Sequence, residues 1–200
     1  MRAHRVGEHA VLVECAGTDE VQDTYALLAA RREELGAVEV VPAARTVLLD
    51  GLADPGLVAA RLAAWTAPPA PAAVSARVEV PVRYDGADLE EVAGQWQVGV
   101  EEVVAIHTGT EFTVAFCGFA PGFAYCTGLP VDRAVRRRAS PRTAVPAGSV
   151  ALAGEYTGVY PTSSPGGWQL LGRTELELWR ADAEQPALLV PGTRVRFRAL

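Results

Sequence analysis

Between Gly118 and Gly172, nine glycines and six prolines punctuate the chain. Proline removes a backbone donor and fixes φ, so it is excluded from helix interiors and central strands; glycine marks turns and close backbone approaches. That spacing leaves no room for a helix or a long strand. From Glu111 onward only short β-rich runs remain: "EFTVAFC", "GSVALAG", "WQLLG", "TELELW", "PALLV" and "TRVRFRAL". Short strands separated by turn residues, with no helices between them, predict a closed or sandwich-like β domain instead of a βαβ sheet.

A second interruption lies earlier. "TAPPAPAAVS", Thr66 to Ser75, sets Pro68, Pro69 and Pro71 close together, which stops regular structure and stiffens a connector. It divides the chain into a small α+β domain over 1–67, a Pro/Ala-rich linker over 68–76 and a β domain over 77–200. In the first domain "HAVLVEC" reads as a strand. "DEVQDTYALLAARREEL" carries Val21, Tyr25, Leu28 and Leu35 at helical spacing, with Asp19 as N-cap and Gly36 as stop. "VEVV" and "RTVLLDG" are β-rich, and "DPGLVAARLAAW" opens with helix-start signals. The order β-α-β-β-α, completed by a sixth element from the linker region, predicts a ferredoxin-like domain. After the linker, "ARVEVPVRY" alternates as a half-buried strand does. "ADLEEVAGQW" and "VGVEEVVAIHTG" then predict two short helices forming a lid or connecting pair.

Charge narrows the partners. A formal net charge of −6, with 21% charged and 50% hydrophobic residues, is that of a globular domain and offers no positive field for nucleic acid or an anionic membrane. The one basic run, Arg136 to Arg138, is too short to reverse this and reads as a solvated loop, a strand end or a partner contact. The N-terminal "MRAHRVGEHAVLVECAG" places His and Glu where a signal peptide needs an unbroken apolar run, so a cytoplasmic location is expected. Cys15, Cys117 and Cys126 are odd in number and form no CxxC pair, which predicts reduced, mostly buried thiols. Three histidines, at 4, 9 and 107, are too few for a multi-histidine centre, and no metal site is expected.

The common enzyme signatures are absent from the sequence: there is no GxxxxGK[ST] phosphate loop, no GxGxxG after a strand, no HExxH and no GxSxG. Four loop motifs remain. "GFAPGFAYCTGLP" supplies Phe119, Phe123 and Tyr125 around Pro121 and Gly122. "SPRTAVPAGS" supplies Arg142 and Ser149, "YPTSSPGGW" supplies Tyr160, Ser163, Ser164, Gly166, Gly167 and Trp168, and "GRTE" supplies Arg173 and Thr174. Aromatic rings, backbone N–H groups bared by glycine, hydroxyls and bidentate guanidinium forks are the ingredients of a small-molecule site. Each has a plainer alternative: the rings cap the barrel, the arginines are exposed or internally paired, and "SSPGG" is a hairpin turn. His107 ends a helical pattern, as a structural residue or as a proton-transfer group.

In their order along the chain, "GFAPGFAY", "GLP", "PR", "VPAGSVA", "YP" and "SPGGWQLLGRT" resemble the allophanate hydrolase subunit 1 family, which includes the B subunit of bacterial 5-oxoprolinase and the KipI-type kinase inhibitors. The resemblance runs from about Val80 to Phe197 and more weakly through the N-terminal domain, where "VGEHAVLVEC" matches the family's opening strand. Ala124 and Cys126 stand where family members commonly have Pro and Leu. The resemblance implies a small α+β domain followed by a cyclophilin-like β-barrel. It also implies ATP-dependent opening of the 5-oxoproline lactam to glutamate, in a complex with the C-type (allophanate hydrolase subunit 2) and A-type partners of a 5-oxoprolinase. On that reading ATP and Mg are used by the assembled complex and no cofactor is bound by this chain alone. Arg142 and Arg173 would grip the substrate carboxylate, Phe119, Phe123 and Tyr125 would wall the ring, and His107 would carry protons. Two alternatives follow from the same resemblance: a binding module that inhibits a sensor histidine kinase, and a subunit of a urea- or allophanate-metabolising amidohydrolase.

Overall fold

The computed structural model describes residues 2–65 and 76–200. Contacts divide the chain into two compact units, Met1–Val74 and Ser75–Leu200. The proline-rich stretch Thr66 to Ser75, with the sixth element expected from it, lies outside the described residues.

The first unit contains strands β1 (Arg2–Val6) and β2 (Ala10–Glu14), helices α1 (Thr18–Ala30) and α2 (Arg32–Leu35), strands β3 (Glu39–Pro42) and β4 (Thr46–Asp50), and helix α3 (Pro55–Ala63). The strands form one antiparallel sheet in the order β1-β2-β4-β3. Period-2 alternation turns Val11, Val13, Val47 and Leu49 into a core shared with Val21, Leu28, Val58 and Leu62 of the helices. The helix expected to run unbroken to Leu35 is interrupted at Arg31, and its N-cap is Gly17, not Asp19. Asp19 and Glu20 occupy the first turn, where carboxylates oppose the positive helix end. Gly36, at φ +68°, closes α2 as expected.

The ferredoxin-like connectivity is not what these residues form. The sheet edge beside β2, which a strand from the linker would fill, is taken by β1 through a hairpin that turns at Gly7, φ +61°. "RAHRV" has no apolar alternation and is almost wholly exposed. Main-chain pairing from Arg2↔Glu14 to Val6↔Ala10 builds it as an edge strand.

The second unit begins with β5 (Arg77–Val82), α4 (Leu89–Trp96) and α5 (Val100–Gly109). The strands β6 (Glu111–Cys117), β7 (Ala124–Thr127), β8 (Arg142–Val145), β9 (Ser149–Ala153), β10 (Tyr156–Val159), β11 (Ser164–Gly166), β12 (Gln169–Arg173) and β13 (Arg194–Ala199) follow. Seven strands form one sheet in the order β12-β9-β10-β7-β6-β13-β5, and β11 pairs separately with β8. The two edges of the large sheet then meet. Arg83, just past β5, and Arg173, at the end of β12, exchange backbone hydrogen bonds of 2.9 Å in both directions. The result is a nearly closed barrel.

All five residues of β9 are buried, and their alternation explains why. Val150 and Leu152 enter the barrel core with Val80, Val82, Phe112, Val114, Leu171, Val195 and Phe197. Ala151 and Ala153 face the other way, into a second cluster with Phe123, Val145, Tyr160 and Trp168. Helices α4 and α5 are packed elements, not a free lid: Leu89, Val92, Ala93, Trp96 and Val103 belong to the barrel core. "TELELW" and "PALLV" do not form strands. Only Trp179 and Ala187 bridge, because Pro186 and Pro191 cannot donate to a ladder. The thiols Cys15 and Cys126 are buried, Cys117 is half-buried, and all three are free. Among the described residues no helix is long and apolar enough to cross a membrane.

Candidate functional site

The second cluster lines a pocket of about 400 Å³, bounded by Phe119, Phe123, Tyr125, Tyr156, Tyr160 and Trp168, with Arg137, Pro165 and Gly166 completing its rim. Phe123 sits at the hub. Its ring meets those of Phe119, Tyr125, Tyr160 and Trp168 edge-to-face at centroid distances of 5.0–5.3 Å, a geometry in which positive ring edges face negative ring faces. Tyr125 is stacked on Phe116 at 4.4 Å, which fixes the half-buried ring against the pocket.

Two backbone features make room for this cage. Gly122 has φ +82°, and a Cβ there would lie 2.9 Å from Cβ of Trp179, so the turn before Phe123 requires glycine. Gly166 lies so close to the Tyr160 hydroxyl and ring that any side chain would collide. Phe119 takes φ +70° although it is not glycine, and its ring is 61% exposed at the mouth. A bulky residue in the left-handed region is a genuine outlier, and such strain collects at ligand sites. Pro121 is exposed and sets the turn without lining the pocket.

Arg137 is the cation of this pocket. The three consecutive arginines have three destinations. Arg136 is exposed, with its main chain held by the side chains of Gln95 (N–H···Oε1 2.8 Å) and Gln169 (Nε2–H···O=C 3.0 Å). Arg137 reaches the aromatic pocket, and its charge acts on Tyr125 and Tyr160. Burial pushes both tyrosine hydroxyls up, and Arg137 opposes that shift. Arg138 turns to Asp88.

Asp88 is 4% exposed and accepts from Arg138 Nη1 (2.9 Å), Arg142 Nη2 (2.8 Å) and the Leu170 N–H (2.7 Å). Burial raises its carboxyl. The hydrogen bonds from Arg142 and Leu170, with the charges of Arg142 and Arg138, outweigh that and hold it below its ordinary value. Arg142 therefore ties the first residue of β8 to the N-cap of α4 and does not line the pocket. Arg173 is also elsewhere: its side chain pairs with Asp85 at 2.9 Å on the surface and its backbone closes the barrel. Neither arginine expected to bind an anion lines this pocket, whereas Arg137 does.

His107 also lies apart from the pocket lining. It is fully buried, with ring contacts to Phe112 and Phe197 of the barrel core. Nδ1 is 2.7 Å from the Tyr84 hydroxyl and Nε2 is 2.9 Å from Thr157 Oγ1. Thr157 donates its own proton to the Ala151 carbonyl, so Nε2 carries the ring hydrogen and Nδ1 accepts from Tyr84. Burial lowers the ring pKa to about 3. His107 is therefore a buried, doubly bonded core histidine and is not among the residues that line the pocket.

The remaining expected residues surround the cage without all entering it. Trp168 and Gly166 line it. Gly167 accepts at its carbonyl from the Arg138 N–H at 2.8 Å, which joins the arginine loop to the Trp168 turn. Ser164 donates to the Thr162 carbonyl. Ser149 and Thr174 are buried and outside the lining, with their main chains bonded to Tyr160 and Gly148. Sequence reasoning missed Tyr156 and Arg137. The signal for Arg137 was present in the basic run, without an indication of which of its members points inward.

The fold is thus a nearly closed β-barrel domain with an aromatic-walled pocket of small-molecule size. The chain belongs to the carboxyltransferase domain family, subdomain C and D, which matches residues 1–189 and is part of the allophanate hydrolase subunit 1 family. It is 51% identical over 123 residues to the 5-oxoprolinase B subunit of Bacillus subtilis (strain 168), a match covering 60% of this chain and 51% of that protein. It is 48% identical over 123 residues to the 5-oxoprolinase B subunit of Escherichia coli O157:H7, covering 60% of this chain and 56% of that one. The matched stretch thus spans little more than half the length of these curated relatives. The crystal structure of TTHA0988 superimposes with a TM-score of 0.79 at 36% identity, covering 96% of this chain and 40% of that one.

Proposed function

We propose that this chain is a B-type subunit of a cytoplasmic, ATP-dependent 5-oxoprolinase, active with C-type and A-type partners, in which the aromatic cage of a cyclophilin-like barrel receives the lactam ring. The observation that carries this reading is the 51% identity over 123 residues to a 5-oxoprolinase B subunit. The cage suits the chemistry. Its volume of about 400 Å³ falls in the range of small-molecule sites, ~300–1,000 Å³, and its rings offer flat apolar walls to a five-membered ring. Arg137 supplies the charge that a carboxylate needs beside those walls.

The cage holds no carboxylate, histidine or thiol among its lining residues. Activation of the stable amide by ATP and Mg, and the proton transfers that follow, therefore fall to companion subunits, in keeping with the lack of a phosphate loop in this sequence. This chain binds and orients. The kinase-inhibitor and urea or allophanate readings gain nothing from the curated relatives named above.

The test is to purify the three subunits together and measure ATP-dependent glutamate release from 5-oxoproline. Release is expected from the complete complex, and Arg137→Gln should raise KM about 10- to 100-fold, as loss of a charge-assisted contact of ~1.5–3 kcal/mol requires. A well-folded complex of all three that releases no glutamate overturns the assignment.

A further inference from the structure

Beside the aromatic cage lies a second, larger groove of about 590 Å³, lined by Arg136, Arg137, Arg138, Ser140, Gln169 and the Glu91–Gln95 side of α4. Arg137 borders both cavities. We propose that this groove is a binding site for a tetrahedral phosphate-type oxyanion, continuous with the cage, so that one ligand can place an apolar ring against the aromatic walls and a phosphoryl group against the arginines.

Charge is the first support. Of the residues that line the groove, Arg136, Arg137 and Arg138 are cationic and Glu91 is anionic, and Arg138 is also paired with Asp88 behind it, which leaves a local excess of positive charge in a chain of net charge −6. Guanidinium groups are the side chains best matched to phosphate oxygens. The second support is preorganisation. Arg138 is anchored by Nη1 to the buried Asp88, and the loop is pinned by Gln95, Gln169 and the Gly167 carbonyl. The Arg138 guanidinium and the backbone of the loop are therefore set in place before a ligand arrives.

The third support is what the protein leaves unbonded. Arg138 Nε, a donor, and Gln169 Oε1, an acceptor on a side chain only 3% exposed, are buried without a hydrogen-bond partner. Unpaired buried polar groups are uncommon and call for a reason. Both residues line this groove. Both atoms are enclosed, so a ligand reaches them only once the Arg138 and Gln169 side chains turn toward the groove; a singly protonated phosphate, which accepts at one oxygen and donates from another, can then satisfy both, whereas an ionised carboxylate can only accept. Ser140 adds a hydroxyl that serves either role.

This inference deepens the ring-binding reading proposed above but is tested apart from it, on the isolated chain. Inorganic phosphate is titrated with the protein and followed by phosphorus NMR line broadening. Saturable broadening is expected with the wild type and with Arg173→Gln, whose side chain lies on the surface with Asp85. Binding should weaken at least tenfold in the Arg136→Gln/Arg137→Gln double variant. Phenyl phosphate, which carries a ring beside the same oxyanion, should bind about tenfold more tightly than inorganic phosphate. Absence of saturable broadening, or equal broadening by the double variant, overturns the oxyanion site. Equal affinities for the two phosphates overturn its continuity with the cage. Either failure can coincide with full 5-oxoprolinase activity of the complex, and phosphate binding can coincide with none, so the two proposals fail separately.

Discussion

The burial of His107 makes a quantitative prediction about acid stability. In the folded chain its ring titrates at about 3, against ~6.5 for an unfolded histidine. Between those values the unfolded chain binds a proton that the folded chain refuses. Stability must therefore rise with pH in this window and fall as pH drops through 6.5. At pH 7 the penalty is small. At pH 5 the unfolded ring is almost fully protonated, and 1.5 units at ~1.36 kcal/mol each amounts to about 2 kcal/mol. The depressed carboxyl of Asp88 does not enter the comparison, because its change belongs to lower pH, around and below ~3.9.

The assay is urea unfolding of the wild type and of His107→Gln at pH 7 and pH 5, followed by tryptophan fluorescence. Trp96, Trp168 and Trp179 all report from the unit that holds His107. Glutamine removes the titration, so its variant should lose about 2 kcal/mol less than the wild type between the two pH values, whatever its stability at pH 7. A ring-shift titration by NMR gives an independent reading in the unsubstituted protein: the His107 signals should stay those of the neutral Nε2–H form down to about pH 4.5. Parallel losses in the two proteins, or a His107 midpoint near 6, would refute both the neutral core assignment and its exclusion from proton traffic.

Two further outcomes follow from the same geometry. Phe119→Gly relieves a left-handed backbone that costs a non-glycine residue ~1–2 kcal/mol and gives up edge contacts to Phe123 and Tyr160 from a ring that is 61% exposed. By calorimetry its thermal midpoint should stay within about 5 °C of wild type, while KM for 5-oxoproline in the complex rises several-fold; a much lower midpoint with KM unchanged would make the ring structural. Asp88, whose folded carboxyl titrates below its ordinary value, contributes stability above ~pH 4 that disappears as pH falls through its folded pKa. Asp88→Asn should remove that part of the acid loss in urea unfolding, and identical acid profiles for variant and wild type would refute the buried ion cluster.

The barrel was legible because its signal is local. Each of "EFTVAFC", "GSVALAG", "WQLLG" and "TRVRFRAL" is a short β-rich run set off by turn residues, and each became a strand of the large sheet. β1 was not legible, because "RAHRV" is held by main-chain pairing to its neighbour and carries no apolar pattern of its own. "TELELW" erred in the opposite sense: its alternation meets the proline-flanked "PALLV" segment, which gives one bridge and no ladder. Local pattern reports which face a residue presents, and only topology decides whether a neighbour is there to meet it.

The candidate site divides along the same line. The clustering of the rings of "GFAPGFAY" was legible because Gly122 and the aromatic residues are sequence neighbours whose mutual placement one turn fixes. The destinations of the arginines were not, because a guanidinium goes to whatever carboxylate the fold brings within reach. For Arg142 that is Asp88, 54 residues upstream. Once Asp88 has claimed Arg138 and Arg142, and Asp85 has claimed Arg173, Arg137 is the arginine that lines the aromatic cage. A buried aspartate that lines neither cavity thus selects the cation available to the cage. Removing the Asp88 charge should therefore release two guanidinium groups beside the cage and groove and change the anion preference of a surface that Asp88 itself does not form.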